Sequence, residues 1–297
     1  MTTALIMCLC LATQADAPIV LDAKKQLFLD DYLIISATNV TRRVQPVEKH
    51  PANPVIRPTE PWETARTIVY GSVLREGEKY RMWYYCDGNV ACAESDDGLC
   101  WHKRPLGIIR INGQDTNLVI QRNVAEGQPG AIPYFYEIFG VLRDDREKDP
   151  ARRYKMGFLS IHRGYSGPNA DPFHGGQRRG LGVATSPDGI HWSLAASFAT
   201  DAICDGATHW MFDPKRGKYV LYGRTKVMSP EVLEAWKGNE WVEKYYWGRS
   251  VARVESEDFL RWNITQPGKA PVVMTPDTKD PPGTEIYSML VFPSNCI

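Results

Sequence analysis

One short motif recurs along the chain and restricts what the chain can fold into. An alternating, β-type run with Ser near its end leads into an acidic turn and then Trp at Val90–Trp101, Leu181–Trp192 and Ser250–Trp262. In the first two copies the turn reads Ser-x-Asp-Gly-x-x-Trp, where Gly allows a positive φ and Asp caps the following backbone N–H groups. The third copy has Phe259 where the others have Gly. We therefore expect its turn to be built differently.

Each motif ends a longer unit. A strand pattern with Tyr precedes it, and a further run ending in a polar turn comes before that strand. Three such units occupy about 64–101, 131–192 and 203–262. Four-stranded units at this spacing are typical of a β-propeller, so the sequence predicts an all-β fold of that type. The alternative is a β-sandwich in which the hairpins resemble each other by chance.

The ends of the chain predict an incomplete five-bladed ring. Two strand-like runs, Gln26–Ile35 and Arg42–Glu48, could supply an N-terminal strand that closes the ring. Thr284–Phe292 is predicted to begin the inner strand of a fourth blade, where the sequence soon stops. We therefore expect three full blades, part of a fourth and a truncated product. An insertion in the third unit, Ser229–Trp247, predicts a short helix capped by Ser229.

The first residues have the features of an export signal. Ala4–Ala12 is apolar and too short to span a bilayer, and Ala15-Asp16-Ala17 offers a cleavage site. The interpretation is a signal peptide over 1–17, a mature domain over 18–297 and a secreted or periplasmic protein. The alternatives are a mispositioned start or a buried N-terminal strand.

Composition limits the classes of molecule that the protein is expected to bind. Lys plus Arg and Asp plus Glu are equal at 35 each, which favours neither nucleic acid nor an anionic membrane surface. Aromatic residues make up 11% of the chain, which suits stacking on sugars and propeller packing equally well. No histidine or cysteine spacing predicts a metal site. The five cysteines after the signal are interpreted as buried free thiols; a Cys92–Cys100 bridge across a hairpin is the alternative. We expect a carbohydrate partner and no cofactor; a central calcium ion is compatible with the fold type but no motif indicates it.

Carboxylates fall near the start of each predicted inner strand, and in a propeller these strands line one channel. They are Glu63, Glu137, Asp205 and Glu285. Glycosidic hydrolysis needs one carboxylic acid to protonate the leaving oxygen and one carboxylate to activate water or attack. The alternative is that these residues start strands and cap turns. Asp205 and Glu285 are the stronger candidates because each precedes a Phe by seven residues.

The same zone contains residues that could bind a sugar. Arg66 and His209 could bind hydroxyl groups or tune the carboxylates, and Trp210 and Tyr287 are predicted to contact substrate. In contrast, the repeated Asp97, Asp188 and Asp258 belong to the Trp turns, and we expect them to be structural.

These motifs resemble the five-bladed propeller glycosidase superfamily, which includes arabinanases and xylosidases, the invertase and levanase group, and β-mannoside phosphorylases. The resemblance covers roughly 50–293 and is carried by Ser95–Trp101, Ser186–Trp192, Glu78–Tyr80, Gly217–Tyr219 and Val251–Trp262. The family pattern implies three carboxylates on the first three inner strands, for which Glu63, Glu137 and Asp205 are the nearest matches. The chain lacks a WMNDPNG-like or RDP motif and has no Asp at the start of its first inner strand.

Two hypotheses of function follow. The first is an exported glycoside hydrolase acting on a plant or algal polysaccharide, with Asp205 and Glu285 as acid and base. The second is a non-catalytic propeller that binds glycans or proteins through its funnel and aromatic rim. Two carboxyl groups about 5–9.5 Å apart that face one cavity would favour hydrolysis. Dispersed carboxylates held in ion pairs would favour binding.

Overall fold

The computed structural model describes residues 31, 33–170, 175–202, 205–206, 208–245 and 248–291. The chain divides into a large unit, 49–292, and a small unit made of 1–48 and 293–297. The described residues of the small unit form neither helix nor strand, so the strand predicted at Arg42–Glu48 is wrong. Pro46 removes a backbone donor from that run, and Val44 and Val47 are exposed. The predicted signal peptide and most of Gln26–Ile35 lie outside the described residues.

The large unit begins with an antiparallel sheet of four strands. The strands of this region are β1 (Thr67–Glu76), β2 (Lys79–Cys86), β3 (Asn89–Ser95), β4 (Arg110–Ile111), β5 (Gln114–Asp115) and β6 (Leu118–Ile120). The sheet order is β1-β2-β3-β6, and β4 and β5 form a separate two-stranded hairpin. β2 pairs on both sides, and its second half, Met82–Cys86, is buried. Its aromatic and apolar residues suit a central strand.

Two further four-stranded antiparallel sheets follow. The second contains β7 (Phe135–Arg143), β8 (Tyr154–His162), β9 (Arg178–Ser186) and β10 (Ser193–Thr200). The third contains β11 (His209–Asp213), β12 (Lys218–Thr225), β13 (Ser250–Ser256) and β14 (Val272–Met274). The strands of each sheet follow one another in chain order, as the repeated sequence unit predicts. Three separate sheets differ from the two packed sheets of a sandwich.

Helices are few and short. A 3-10 turn covers Pro150–Arg152, and α1 (Pro230–Ala235) and α2 (Glu240–Tyr245) lie between β12 and β13. The Ser229 hydroxyl accepts a hydrogen bond from the Glu231 backbone N–H at 3.3 Å, which confirms the predicted capped helix. None of the helices in the described ranges is long and apolar enough to cross a membrane.

The strand predicted at Thr284–Phe292 is wrong for the part that the structure describes, 284–291. The Ile286 backbone N–H donates to the Arg249 carbonyl at 3.1 Å, but no described strand pairs with this segment. Tyr287 and Leu290 are exposed. An alternating sequence becomes a strand only where a neighbouring strand takes up its backbone hydrogen bonds.

The first strands of the three sheets lie side by side. The Val141 backbone N–H of β7 donates to the Ser72 hydroxyl of β1 at 2.9 Å. Between the second and third sheets, the Trp210 ring of β11 lies against Gly140 and Gly157, so closely that a Cβ at Gly157 would be 2.5 Å from the ring. This order of first strands is the one expected of successive propeller blades.

One contact between sheets is made twice. The Tyr154 hydroxyl of the second sheet donates to Glu76 at the end of β1, and the Tyr219 hydroxyl of the third sheet donates to Asp144 just after β7. Burial and the Glu76 carboxylate raise the pKa of Tyr154 to about 12. The hydroxyls are therefore protonated donors. The repeated contact places each sheet against the preceding one in a similar way.

Apolar side chains fill the space between neighbouring sheets. The cluster shared by the first and second sheets includes Trp83, Tyr85, Ile138, Val141, Tyr154 and Met156. The cluster shared by the second and third includes Phe139, Leu159, Leu181, Leu221, Val254 and Phe259. Each buried aromatic or aliphatic side chain contributes roughly 1.5–3 kcal/mol by leaving water.

The three Trp turns share the hydrogen bonds that their Asp side chain accepts. In each, one Asp oxygen accepts from the backbone N–H groups two and three residues later, at 2.8–2.9 Å; the acceptors are Asp97, Asp188 and Asp258. Phe259 takes φ +65, close to the +74 and +78 of the equivalent glycines, so the expectation of a different backbone turn is wrong. The turn does differ at its Trp: Trp101 and Trp192 donate to the turn glycine carbonyl, whereas Trp262 Nε1 has no described acceptor. The buried Phe259 ring packs edge-on against Trp210, Tyr219 and Trp262. This packing offsets the cost of a non-Gly residue at positive φ.

Candidate functional site

Two of the predicted carboxylates meet where the second and third sheets come together. Glu137 lies near the start of β7 at an irregular point in its pairing with β8. Asp205 lies four residues before β11, and Gly206 follows it. A Cβ at Gly206 would lie 2.4 Å from Glu137 Oε1, so the carboxyl group rests against this backbone. Only a residue without a side chain allows this approach.

Glu137 is a buried carboxyl group with an unfavourable environment for charge. It is 8% exposed, and none of the described residues donates a hydrogen bond to its carboxylate. Burial and the nearby charge of Asp205 raise the pKa of Glu137 above its ordinary value, against the opposite effects of Arg66, Arg224 and Arg179. Such a group keeps its proton to higher pH than an exposed glutamate and can act as an acid.

Asp205 has the opposite environment. Its Oδ2 accepts from Arg224 Nη1 at 2.7 Å, and its Oδ1 accepts from Arg179 Nη2 at 3.4 Å and from the Gly206 backbone N–H at 2.8 Å. Two guanidinium groups and a backbone donor complement a negative charge. The site therefore pairs a carboxyl group that favours its proton with a carboxylate that is held charged.

Arg224 connects this pair to the segment after the third sheet. The residue is 3% exposed, and its Nη2 has no hydrogen-bond partner among the described residues. Its Nε donates to the Tyr287 carbonyl at 3.2 Å, and its guanidinium carbon lies 4.0 Å from the centre of the Tyr287 ring. A buried guanidinium N–H without an acceptor is unusual and is available to a ligand oxygen.

Tyr287 and Glu285 both lie on that segment. Burial raises the pKa of the Tyr70 hydroxyl on β1, and its interactions with Tyr287 and Glu137 act in the same direction. Glu285 pairs with Arg249 Nη1 at 2.5 Å, and Arg249 also lies under the Tyr287 ring. The structure thus places Tyr287 beside the site, whereas the carboxylate of Glu285 is engaged by an arginine outside the pair.

Glu63 has a structural environment. Its side chain is fully buried and accepts from Lys103 Nζ at 2.5 Å, the Tyr84 hydroxyl at 2.6 Å and the Thr59 N–H at 2.8 Å. Although burial acts to raise it, the pKa of Glu63 is lowered, chiefly by Lys103 and Tyr84. These contacts tie the 59–63 turn to the first sheet and leave the carboxylate no proton to give. We therefore do not include Glu63 in the candidate site.

The other predicted binding residues fall into two groups. Arg66 is exposed, lies 5.4 Å from the centre of the Tyr85 ring, and is one of the charges that act on Glu137. His209 and Trp210 are half-buried on β11; burial lowers the pKa of His209, and Trp210 packs between the sheets as described above. A substrate-binding role for these two residues stays a prediction.

Sequence reasoning missed Arg179, Arg224 and Tyr70. All three lie inside strands, where the surrounding sequence predicts side chains that pack in the core and not site residues. The available signal was a guanidinium within an apolar run: Arg224 follows Tyr219–Gly223 on the central strand of the third sheet. A charge at such a position is buried only if it is paired, so it predicts a carboxylate partner.

No group of three or more His, Cys, Asp or Glu side chains suited to a metal ion occurs among the described residues. Cys86 and Cys92 are buried free thiols, as predicted, and burial raises the pKa of each to about 12. Cys100 is also free, but it is exposed, so the prediction of a buried thiol is wrong there. The site is therefore built from carboxylates, guanidinium groups and tyrosines.

No family model matches the chain, and no curated protein matches it. The chain is similar to several solved structures, all at low identity. One belongs to the GH130 family of mannoside phosphorylases, which contains glycoside hydrolases that target β-1,2 mannosidic linkages in Candida mannan. The similarity has a TM-score of 0.46 and 15% identity, and it covers 77% of this chain and 61% of that chain. A thermostable family-43 glycoside hydrolase is similar with a TM-score of 0.44 and 12% identity, over 74% of this chain and 56% of that chain. An endo-arabinase from Bacteroides thetaiotaomicron is similar with a TM-score of 0.43 and 10% identity, over 71% of this chain and 57% of that chain. The chain thus spans about three fifths of the length of the proteins it resembles.

Proposed function

We propose that this protein is a glycoside hydrolase with Glu137 as general acid and Asp205 as the second carboxylate. In this proposal the three sheets are successive blades of a five-bladed propeller, and the pair faces its central channel. The observation that carries the proposal is the meeting of two carboxyl groups from adjacent sheets, one buried without a donor and the other held between two arginines.

The two environments suit two different roles. A buried glutamic acid that retains its proton can protonate the glycosidic oxygen as the bond to the leaving sugar breaks. Asp205, held charged by Arg179 and Arg224, can attack the sugar or accept a proton from water. Acid and base catalysis requires that one of two neighbouring carboxyl groups keeps its proton while the other is ionised, and different environments produce this difference.

Glu137 replaces Glu285 as the proposed partner of Asp205 for a geometric reason. Glu285 is paired with Arg249 at 2.5 Å, so a guanidinium with no described contact to Asp205 already occupies its carboxylate. Glu137 has no such partner and lies next to Asp205. The free Nη2 of Arg224 and the exposed ring of Tyr287 are then placed to bind a hydroxyl group and a sugar face.

A second candidate function is non-catalytic glycan binding. Asp205 makes ion pairs with two arginines, and such pairing reduces its tendency to accept a proton or attack. In that case the site would bind a sugar through the same arginines and tyrosines without cleaving it.

Turnover separates the two candidates. The full chain is incubated with arabinan, xylan, mannan and fructan and with the matching chromogenic glycosides, and released reducing ends are measured. Hydrolysis that Asp205→Asn and Glu137→Gln each reduce at least 100-fold supports the proposal. Glu255→Gln is the matched control because Glu255 is also held by two arginines, Arg216 and Arg253, but lies on β13 away from the pair. A folded chain that binds these glycans without cleaving them supports the second candidate.

The proposal includes a secreted or periplasmic location, because a polymeric substrate is met outside the cell. Fractionation of cells that express the full chain tests it. Export with loss of residues 1–17, found by mass spectrometry, is the expected result, and retention of these residues on a cytoplasmic protein would contradict it.

A further inference from the structure

A cavity of about 460 Å³ opens next to the residues that precede Glu137. This volume lies within the range of small-molecule sites. The lining includes Tyr134 and Tyr136 at the start of the second sheet, His162 and Arg163 at the end of β8, and Arg122 from the preceding loop. Glu137 and Asp205 do not line it. The cavity is therefore a neighbour of the proposed reaction centre and separate from it.

The charge of the cavity is positive and is not neutralised by its surroundings. The guanidinium carbons of Arg122 and Arg163 lie 4.8 and 6.0 Å from the centre of the Tyr136 ring. No described carboxylate forms an ion pair with either arginine, and the lining contains one carboxylate, the exposed Glu126. Two guanidinium groups without a described carboxylate partner, both beside the Tyr136 ring, indicate a site for an anion.

The buried Tyr85 links the cavity to the carboxylate pair. Burial raises the pKa of its hydroxyl; Arg66 and Arg122 act to lower it, and Glu137 and Tyr136 act to raise it. Tyr85 is thus within electrostatic range of two residues of the cavity, Arg122 and Tyr136, and of Glu137 in the reaction centre. A ligand that fills the cavity would extend toward Glu137.

The cavity also contains a strained aromatic residue. Tyr134 has φ +62 and is 43% exposed, and the centre of its ring lies 4.8 Å from that of His162. A bulky residue at positive φ is uncommon, and such strain is concentrated at ligand sites. The backbone is held in place by the hydrogen bond from the Ile161 N–H to the Tyr134 carbonyl at 2.9 Å. A flat, partly exposed ring beside two arginines suits a sugar that carries an anionic group.

We infer that this cavity is a subsite for a sugar unit with an anionic substituent, a uronate carboxylate or a sulfate ester. Arg122 and Arg163 bind the anion, and Tyr134 contacts the sugar ring. The neighbouring unit of the same glycan then reaches the Glu137–Asp205 pair. The position of the cleaved bond rests on the proposed function; the binding of an anionic glycan does not.

Calorimetric titration of the full chain tests the inference. Oligogalacturonate is compared with its carboxyl-reduced form, and a sulfated galactan oligosaccharide is compared with its desulfated form. The titrations use Glu137→Gln to prevent turnover. We expect one anionic glycan to bind at least 10-fold more tightly than its neutral counterpart, with affinity that falls as salt rises. The pair of ligands that shows the difference identifies the anion as carboxylate or sulfate.

Two substitutions place the binding in the cavity. Arg163→Gln and Arg122→Gln are each expected to weaken binding of the anionic glycan about 10-fold or more, which corresponds to the loss of a charged hydrogen bond. Arg261→Gln is the matched control, because Arg261 is an exposed arginine that lines a different cavity, of about 390 Å³. It should leave the affinity unchanged.

Each result decides the inference. Equal binding of the anionic and neutral forms, or a preference for anionic glycans that survives both cavity substitutions, overturns it. Preferential binding lost in Arg163→Gln supports it even if the wild-type chain hydrolyses nothing, and in that case only the proposed function fails. Hydrolysis of neutral glycans with no preference for anions leaves the proposed function standing and overturns the subsite.

Discussion

Acidic residues occur in two regions of this molecule and behave in opposite ways. In the Trp turns, backbone N–H groups surround the carboxylate: although burial acts to raise it, hydrogen bonds from His191 and Ile190 lower the pKa of Asp188 to about 2. Between the second and third sheets, Glu137 is buried without a donor from the described residues, and burial and Asp205 raise its pKa. A carboxylate that stabilises the fold is satisfied by its own turn. A carboxyl group that is left unsatisfied is a candidate for chemistry.

The largest expected effect is on turnover, in Glu137→Gln. Loss of a general acid lowers kcat about 100- to 10,000-fold. Activity of the wild type should fall as pH rises through the raised pKa of Glu137, because the acid must carry its proton, and this alkaline fall should disappear from the residual activity of the variant. Rate measurements across pH check both results. A variant with wild-type activity would remove Glu137 from the mechanism.

The same substitution should stabilise the protein. The pKa of Glu137 is higher in the folded chain than in the unfolded chain, so its ionisation destabilises the fold at any pH above its ordinary pKa. Glutamine carries no charge, so the free energy of unfolding at pH 7 should rise, and the difference from wild type should vanish below pH ~4. Denaturant unfolding at both pH values measures this. Lower stability at pH 7 would mean that Glu137 has a structural role like that of Asp188.

The next largest effect concerns the third Trp turn, in Phe259→Gly. Glycine is the residue found in the other two turns and would relieve the strain of φ +65, yet the substitution empties a fully buried position packed against three aromatic rings. We expect a net loss of about 3 kcal/mol in the free energy of unfolding. Gly98→Ala is the control: its Cβ meets only Tyr80, at 4.0 Å, so backbone strain of about 1 kcal/mol is the whole expected cost. A neutral Phe259→Gly would show that the ring adds nothing to the core.

The three sheets could be predicted because local patterns repeat. The turn residues and the alternating pattern of each strand lie close together in the sequence, and they predict a strand correctly wherever a neighbouring strand pairs with it. Arg42–Glu48 and Thr284–Phe292 have comparable patterns but no described partner strand, and their predictions failed. The conformation of Phe259 was missed for a related reason, since its stability comes from rings of β11 and β12.

The site could be predicted only in part. Glu137 and Asp205 were identified from their positions before the inner strands, but their meeting depends on the packing of β7 against the loop before β11. Glu63 fits the same pattern and is neutralised by Lys103, forty residues later, in a loop with no sequence signal for this contact. The arginines that hold Asp205 lie on strands of two different sheets. A local pattern can show that a charge such as Arg224 needs a partner, but it does not show which residue tertiary packing will bring to it.

A smaller effect tests the structural side of the comparison, in Asp188→Ala. The variant loses two backbone hydrogen bonds at 2.9 Å and should be about 1 kcal/mol less stable at pH 7, with unchanged kcat. Since the pKa of Asp188 is lower in the folded chain, its stabilisation is complete above pH ~4 and is lost as pH falls toward 2. Variant and wild type should therefore converge at low pH. Asp96→Ala, at an exposed neighbouring acid in the first turn, should change stability at neither pH.

The smallest effect tests whether the sheets repeat as units. Tyr154→Phe and Tyr219→Phe each remove a hydroxyl that donates to a carboxylate of the preceding sheet, and the acceptors keep cationic partners, Arg81 for Glu76 and Lys155 for Asp144. Each variant should therefore lose about 0.5–1.5 kcal/mol, and the double variant should lose the sum, because the two contacts lie in separate interfaces. Tyr80→Phe, at the equivalent position of the first sheet, removes a hydroxyl without a described acceptor and should be neutral. A cost at only one of the two interfaces would mean that the sheets share a sequence pattern without sharing the energetics of their packing.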